Sequence, residues 1–289
     1  MTGSLTGRVS LVTGAGKGLG RAYALWLSAQ GSAVVVNNRS HASVPSSAQA
    51  VVEEILARGG SAVADGHSVE DEAGAGAMVA RAISAFGRLD VLVCNAAIVP
   101  RATFLAVSVA ELRQVVDVNL LGVLLPLHAA WRQMMSTGYG RIVLISSSVG
   151  LYGEKDLATY GATKAAMIGL ARALSKEVPP EVDIKINVVV PFAYTPAAAV
   201  SPRMDGLADK LSPDKVAPVV GWLASEACQH TGLVLHVGGG RATRARILET
   251  APVDIEVVGS DAWLLALSGP ALSDEASSGH KAGGRITRR

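Results

Sequence analysis

The sequence predicts an α/β fold, a three-layer α/β/α domain built on an open, doubly wound parallel sheet. Short, continuous apolar runs rich in β-branched residues alternate with longer Ala- and Leu-rich stretches. Hydrophobic residues make up 49% of the 289-residue chain and charged residues only 17%, which is enough apolar material for a large buried core. With 31 glycines and only 4% aromatic residues, the composition suits helices packed tightly on a sheet that is covered on both faces.

The elements follow each other in a strand–helix rhythm. Val9–Thr13 predicts the first strand, and glycines and a helix over Leu19–Ala29 follow it. Ala33–Asn37 predicts the second strand, with a helix over Ser46–Arg58 behind it. Further strands are predicted at Ser61–Ala64, Val91–Cys94, Ile142–Ser146 and Ile184–Val190. Each run is continuously apolar rather than alternating, as expected of buried strands, and the spacing predicts right-handed crossovers and a parallel sheet.

Charge, cysteine content and hydropathy narrow the class of protein. The formal net charge is +2, from 26 Lys+Arg against 24 Asp+Glu, so no strong basic field favours nucleic acid. Cys94 and Cys228 alone give no disulfide framework, which indicates a reducing compartment. Leu120–Trp131 is the longest apolar run that resembles a membrane span, and it is too short to cross a bilayer. Met1–Arg8 lacks the apolar core of a signal peptide. We expect a soluble cytoplasmic protein with no nucleic-acid or membrane partner.

The chain divides into a nucleotide-binding domain over residues 1–250 and a C-terminal extension over residues 251–289. Ser273–Arg289 is rich in serine, glycine and charge, so we expect the extension to be partly disordered. Asp261–Leu267 is a short apolar patch around Trp263. It is expected to pack back on the domain or to bridge subunits as an arm.

A glycine-rich loop lies between the first strand and the first helix. In Thr13–Gly20, the spacing of Gly14, Gly18 and Gly20 lets backbone N–H groups approach a pyrophosphate at the helix N-terminus. The strand–turn–helix context distinguishes this loop from an ordinary glycine turn. The sequence therefore predicts a Rossmann-type dinucleotide site that includes Gly14, Lys17, Gly18, Leu19 and Gly20.

The end of the second strand bears on which dinucleotide binds. An acidic residue there would bond the ribose hydroxyls and repel a 2′-phosphate, but the chain has Asn38, Arg39 and Ser40, with no acid nearby. A guanidinium forms charge-assisted contacts with phosphate. We expect NADP(H) to be favoured over NAD(H), which stays an alternative if Arg39 only points into solvent.

A serine, a tyrosine and a lysine form a candidate catalytic group. Tyr160 and Lys164 have the i, i+4 spacing that places both on one helix face. A cation beside a phenol lowers the tyrosine pKa, as a general acid/base near neutral pH requires. Ser147 lies 13 residues before Tyr160, at the carboxyl end of a predicted strand, where open α/β sheets bind ligands.

These motifs, with Asn95-Ala96-Ala97, resemble the short-chain dehydrogenase/reductase family over about residues 5 to 248. The stretches GRVSLVTGAGKGLGRAYAL, YGRIVLISSSVGLYG and VAPVVGWLASEACQHTGLVLHVGGG are similar to its (3R)-hydroxyacyl-CoA dehydrogenase members from peroxisomal multifunctional enzymes. The resemblance implies that Tyr160 exchanges the proton and Ser147 bonds the substrate oxygen. It also implies that Lys164 holds the nicotinamide ribose and that Asn119 completes a proton relay. Implied cofactor contacts also include His67, Ser68, Asn95, Ala96, Ala97, Tyr160, Lys164, Pro191 and Thr195.

The chain departs from the family pattern at four places. Ala97 replaces a glycine beside the cofactor, and His67 replaces the aspartate that contacts adenine. Phe192 replaces the glycine of a Pro-Gly pair, which reshapes the roof of the pocket. The fourth departure is Asn38-Arg39, which stands where the hydroxyacyl-CoA relatives carry an acid. None of these changes removes a catalytic residue.

Three functions are consistent with this pattern. The first is an NADP(H)-dependent oxidoreductase acting on a ketone/secondary-alcohol pair, with a 3-oxoacyl or related carbonyl substrate. The second is an NAD-dependent (3R)-hydroxyacyl-CoA dehydrogenase. The third is a catalytically idle redox sensor or scaffold, against which the intact Asn119, Ser147, Tyr160 and Lys164 set argues. No metal site is expected, and the small residues of Ala158–Ser175 predict a homodimer or homotetramer.

Overall fold

A computed structural model describes residues 4–40, 46–195 and 206–247. Eight strands form one sheet in the order β3-β2-β1-β4-β5-β6-β7-β8. All neighbouring pairs are parallel except β7 and β8. The strands are β1 (Val9–Val12), β2 (Ala33–Asn37), β3 (Ser61–Asp65), β4 (Val91–Cys94), β5 (Tyr139–Ile145), β6 (Asp183–Phe192), β7 (Val234–Gly238) and β8 (Arg241–Arg244).

Helices cover both faces of the sheet. They are α1 (Gly18–Ala29), α2 (Ser47–Ala57), α3 (Glu72–Phe86), α4 (Val109–Val116), α5 (Gly122–Thr137), α6 (Ser148–Tyr152), α7 (Ala158–Glu177) and α8 (Ala217–Ala224). Residues of α1, α2 and α8 share one apolar core. Residues of α3, α5 and α7 share the other core. The predicted three-layer α/β/α architecture is confirmed.

Successive residues of each inner strand point into opposite cores. In β2, Val34 and Val36 pack into the core under α1 and α2, whereas Val35 packs into the core under α3. Side chains alternate across a sheet, so a sheet covered on both faces needs apolar residues at every position. This arrangement explains why the strands read as unbroken apolar runs.

The six predicted strands are present with small shifts of their ends, but two strands were missed. β7 pairs with β6 in parallel, and β8 returns antiparallel to β7 at the edge of the sheet. All four residues of β8, Arg241–Arg244, are exposed. A short polar edge strand carries no apolar run, so sequence patterning could not find it.

One long helical stretch crosses the second face of the sheet. A π-helical segment, Asp117–Leu121, joins α4 to α5, so the helical path runs over the 29 residues of Val109–Thr137. This stretch is long and apolar enough to cross a membrane. Buried core helices of soluble proteins have the same length and composition. Here its inner side packs on the sheet and on α3, with Leu127, Ala130 and Met134 buried.

Strand order places a cleft at the carboxyl edge of the sheet. The chain passes from β3 at one edge back across β1 to β4, and ligands bind where the strand order reverses in this way. The segments that follow β1, β4, β5 and β6 therefore border one cleft. The predicted apolar patch Asp261–Leu267, the tail Ser273–Arg289 and the domain limit at residue 250 lie outside the described residues.

Candidate active site

The glycine loop begins at the end of β1 and leads directly into α1. Gly14 has φ +63°, and a Cβ on it would lie 2.8 Å from Cα of Ala96, so only glycine fits. Lys17 occupies the N-cap position of α1 without a side-chain capping hydrogen bond. The N–H groups of the first helical turn can therefore bind an anion. The loop could hold the pyrophosphate of a dinucleotide, and this role stays a prediction.

The end of β4 is tied to this loop through Thr13 and Asn95. The Thr13 hydroxyl accepts hydrogen bonds from the backbone N–H of Asn95 (3.0 Å) and of Ala96 (3.1 Å). The Asn95 amide donates to the carbonyls of Thr13 (2.9 Å) and Gly14 (3.1 Å). These bonds hold the two strand ends together, with Ala97 exposed just beyond them.

The residues after β2 lie beside the glycine loop and beside an acid from another segment. The Asn38 amide donates to the Ser47 hydroxyl (2.9 Å), and Ser40 bonds the Gly66 carbonyl through its N–H and its hydroxyl. The half-exposed Arg39 pairs with Glu70, with 3.3 Å between Nη1 and Oε1. The expectation that no acid lies nearby is therefore wrong, because the segment after β3 brings Glu70 to Arg39.

The region predicted to contact adenine is built on a buried carboxylate. Asp65, only 4% exposed, accepts hydrogen bonds from the Asn37 amide (2.7 Å) and from the backbone N–H of His67 (3.1 Å). It also lies 2.9 Å from Nδ1 of His67, whose side chain is half-exposed. The buried Ser68 hydroxyl has no hydrogen-bond partner among the residues that the structure describes. A polar atom in this state fits a role toward a ligand.

Ser147 and Tyr160 are brought together by the packing of α6 on α7. Ser147 follows β5 as the N-cap of α6, and its hydroxyl accepts from the Val149 N–H (3.2 Å). Gly150 permits the two helices to touch, because a Cβ there would lie 2.7 Å from the Ala165 nitrogen. A hydrogen bond between the Ser147 and Tyr160 side chains lowers the pKa of the phenol.

Burial nevertheless dominates the pKa of Tyr160. It raises the pKa above the ordinary tyrosine value, the Ser147 hydroxyl opposes the rise, and the Glu154 carboxylate adds to it. The sequence predicted a pKa lowered by Lys164. That direction is wrong in this geometry, where the lysine Nζ lies 5.8 Å from the centre of the phenol ring and the low-polarity surroundings disfavour the phenolate.

Lys164 is held in place by two backbone contacts. Its ammonium donates to the Ile145 carbonyl (2.9 Å), and its own carbonyl accepts from the Ser146 hydroxyl (2.7 Å). The side chain is buried, and burial lowers the pKa of Lys164 to about 8. The lysine therefore keeps its charge near neutral pH and can lose it under mildly alkaline conditions.

Asn119 lies on the π-helical segment and reaches across to the chain after β4. Its Oδ1 accepts from the Ile98 N–H (2.8 Å), and its Nδ2 donates to the Ile98 carbonyl (2.9 Å). The side chain is fully buried. Both of these hydrogen bonds go to Ile98 and neither goes to Tyr160. Asn119 thus fixes the position of the segment after β4.

The far side of the cleft is formed by the end of β6. Pro191 and Phe192 pair with Val237 and Gly238 of β7. The absence of a side chain on Gly238 makes room for Phe192, whose carbonyl oxygen would lie 2.3 Å from a Cβ placed there. Thr195 follows at the limit of the described residues.

Comparison with known proteins agrees with this geometry. The family model for short chain dehydrogenases matches residues 8–204. The chain belongs to the short-chain dehydrogenase/reductase family. It is 38% identical over 273 residues to the peroxisomal multifunctional enzyme type 2 of Drosophila melanogaster, covering 89% of this chain but 44% of that enzyme. The chain therefore spans less than half of that relative.

Two further family members match almost over their full length. The chain is 36% identical over 245 residues to a 3-oxoacyl-[acyl-carrier-protein] reductase of Synechocystis, covering 82% of this chain and 98% of that reductase. A crystal structure of a short chain dehydrogenase from Mycobacterium avium superposes with a TM-score of 0.81 at 36% identity, covering 92% and 96% of the two chains. The dehydrogenase/reductase class of the enzyme is thereby confirmed.

Several residues that support the predicted site residues carried no prediction of their own. Thr13, Ser146 and Ser47 each hold a predicted residue through a hydrogen bond. Thr13 and Ser146 could have been suspected as polar residues at the ends of apolar strands. Glu70 and Glu154 carried no sequence signal, because their partners are distant in the chain.

Proposed function

We propose that this family member is an NADP(H)-dependent oxidoreductase that interconverts a ketone and a secondary alcohol, with a 3-oxoacyl thioester or related carbonyl compound as substrate. The observation that carries the proposal is the packing of α6, whose N-cap is Ser147, against α7, which carries Tyr160 and the buried Lys164, at the sheet edge that also holds the glycine loop. A sensor or scaffold would not require this arrangement.

Each residue has a role that follows from its surroundings. Tyr160 holds the proton that is exchanged with the substrate oxygen, and its raised pKa keeps it protonated for reduction. The Ser147 hydroxyl, beside the phenol, can hydrogen-bond the same oxygen. Gly14, Lys17 and the start of α1 would hold the pyrophosphate of the cofactor, and Lys164 its nicotinamide ribose. When bound, the nicotinamide supplies or accepts the hydride.

The substrate class rests on two relatives of different name. The Synechocystis relative is a 3-oxoacyl-[acyl-carrier-protein] reductase, and the Drosophila relative is a peroxisomal multifunctional enzyme. The first of these names states a 3-oxoacyl substrate, which supports a 3-oxoacyl thioester here. The NAD-dependent (3R)-hydroxyacyl-CoA dehydrogenase is the second candidate, favoured by similarity to the peroxisomal enzyme.

The Tyr160→Phe variant tests the mechanism. Turnover of a 3-oxoacyl-CoA should fall by about 10²–10⁴-fold, because the proton donor is removed while the ring remains. Binding of the reduced cofactor, measured by its fluorescence, should stay close to wild type. Lys164→Ala should damage both readouts. Full activity of a folded Tyr160→Phe enzyme would contradict the proposed mechanism.

The preference for NADP(H) rests on the residues after β2. No carboxylate occupies position 38 to repel a 2′-phosphate, and Arg39 can contribute a charge-assisted hydrogen bond of about 1.5–3 kcal/mol. That range corresponds to about 10- to 150-fold in affinity. Because Glu70 pairs with Arg39 and solvent screens both groups, we expect a preference near the lower end, about tenfold.

Measuring kcat/KM with both cofactors tests this preference. Arg39→Ala should lower the value for NADPH about tenfold and leave that for NADH nearly unchanged. Asn38→Asp should reverse the preference by adding a repelling carboxylate. Glu70→Gln should raise the preference for NADPH a few-fold, about the effect of an exposed ion pair. A wild type that uses NADH equally well, with no effect of Arg39→Ala, would show that Arg39 is a solvated surface charge.

A homo-oligomer and a cytoplasmic location complete the proposal. Exposed small residues on α7 and exposed apolar residues on α4 support self-association. Cys94 and Cys228 are both buried and unpaired, in keeping with a reducing compartment.

A further inference from the structure

Two segments of the chain meet in front of Tyr160. One is the segment after β4, residues 101–107, and the other is the link between α6 and α7, residues 153–157. Nη2 of Arg101 lies 2.9 Å from Oε1 of Glu154, and the Ala102 N–H donates to the Asp156 carbonyl (3.0 Å). We call this pair of contacts the clasp.

The clasp requires an uncommon backbone conformation. Asp156 has φ +66°, the one positive φ of a non-glycine residue in the part of the chain that the structure describes. For residues with a side chain this conformation is costly and persists where the surroundings impose it. The carbonyl of this same residue accepts the Ala102 N–H, so the strain lies within the clasp itself.

The other end of the 101–107 segment is also anchored. Ser108 and Glu111 form a reciprocal capping box at the start of α4, in which the Glu111 carboxylate accepts from the Ser108 N–H at 2.8 Å. Between the two anchors, Phe104 is 70% exposed and Leu105 is 98% exposed. An apolar segment held at both ends but uncovered in the middle is suited to contact an apolar ligand.

This segment forms one wall of a cleft whose lining includes Tyr160. The cleft is lined by Arg101, Phe104, Val107, Val115, Asp156 and Tyr160. A substrate whose carbonyl lies at Tyr160 would extend along this wall. The clasp thus lies where it can set the width of the substrate cleft.

The charges around Tyr160 come from four elements. They are Lys164 on its own helix, Glu154 and Asp156 on the preceding link, Arg101 on the 101–107 segment and Glu111 on α4. Among these residues, the Glu154 carboxylate raises the pKa of Tyr160. Since Arg101 pairs with Glu154, the same ion pair that holds the wall also moderates this charge.

We propose that Arg101 and Glu154 are positioning residues of the substrate cleft, whose ion pair holds the 101–107 segment as the outer wall and balances the charge beside the phenol. The proposal rests on the proposed function, because it treats Tyr160 as the acid/base of the reaction. Arg101 and Glu154 act through position and charge and are not assigned a chemical step.

Neutralising each partner separately tests the proposal. Arg101→Gln and Glu154→Gln should both raise KM for a 3-oxoacyl-CoA by about two- to fivefold, the effect of one exposed ion pair. The titration midpoint of Tyr160, followed as the ultraviolet difference between each protein and its Tyr160→Phe counterpart, should move in opposite directions in the two variants. Glu154→Gln should lower its midpoint by about 0.2–0.7 pH units and Arg101→Gln should raise it by a similar amount.

A charge swap and a remote control complete the experiment. The double variant Arg101→Glu/Glu154→Arg should restore the KM of the wild type. Its Tyr160 midpoint should lie below that of the wild type, because a cation then lies at position 154. Arg58→Gln removes an exposed ion pair with Glu54 on α2 and should change neither readout. Unchanged KM values, or midpoints that move in the same direction, would overturn the clasp. Absence of turnover in the wild type would overturn the proposed function, while the titration would still test the clasp.

Discussion

At the scale of single residues, Lys164 shows how function and stability oppose each other. Its ammonium is buried and donates to one backbone carbonyl, at Ile145. Burial lowers the pKa of Lys164 from 10.5 to about 8, so the folded state disfavours the charged form that the proposed contact with the cofactor ribose requires. Holding this buried lysine in its charged form therefore destabilises the fold at neutral pH.

This conflict predicts a pH-dependent difference between the wild type and Lys164→Met. Between about pH 8 and pH 10.5 the unfolded chain holds a proton that the folded chain has lost, so wild-type stability rises with pH in that window. Below about pH 8 the full penalty, roughly 3 kcal/mol, is present. We expect Lys164→Met to be more stable than wild type at about pH 7 and nearly equal to it at about pH 10, by urea unfolding. A difference that does not depend on pH would contradict this account.

At the scale of elements, the π-helical segment Asp117–Leu121 positions Asn119 against the chain after β4. A π-helical turn widens a helix locally and is common at functional sites. Here it places the Asn119 amide against both backbone groups of Ile98. An ordinary continuation of α4 would rotate this side chain away. The local helix type therefore decides whether the two hydrogen bonds between Asn119 and Ile98, which we call the bridge, can form.

Removing the bridge should affect both stability and activity. Asn119→Ala leaves the N–H and C=O of Ile98 without their partner, which should cost about 1–3 kcal/mol in the free energy of unfolding. It should also lower kcat, because the segment after β4 loses its anchor beside Tyr160. Gln114→Ala, at an exposed position on α4, is the matched control and should alter neither urea unfolding nor kcat. Equal behaviour of the two variants would show that the bridge is dispensable.

At the scale of the whole molecule, the outer face of α7 is suited to self-association. Exposed small residues recur along it at helical spacing: Ala158, Ala162, Ala165, Gly169 and Ala173. On the neighbouring α4, Val109 is 63% exposed and Val116 is 36% exposed. Small side chains let two helices approach closely, and a symmetric interface would cover both helices at once.

The oligomer prediction is tested by placing a charge on this face. The wild type should have the mass of a dimer or tetramer by light scattering at micromolar concentration. Ala165→Glu should shift the mass toward that of the 29.6 kDa monomer. The reason is that a two-fold axis would bury the new carboxylates of both subunits close to each other, and like charges repel. Ala50→Glu, at an exposed position of α2, should leave the mass unchanged. A monomeric wild type would contradict the prediction.

The sequence by itself determined the layered α/β fold and predicted the cofactor loop and the catalytic residues. Apolar runs report strands buried on both faces, and the glycine loop and the Tyr160/Lys164 pair are local in the chain, so their spacing fixes their geometry. Tertiary structure alone decided the rest. Glu70 meets Arg39, Glu154 meets Arg101, and burial reverses the expected pKa shift of Tyr160. Charge partners and solvent exposure depend on segments far apart in the sequence, so no local pattern encodes them.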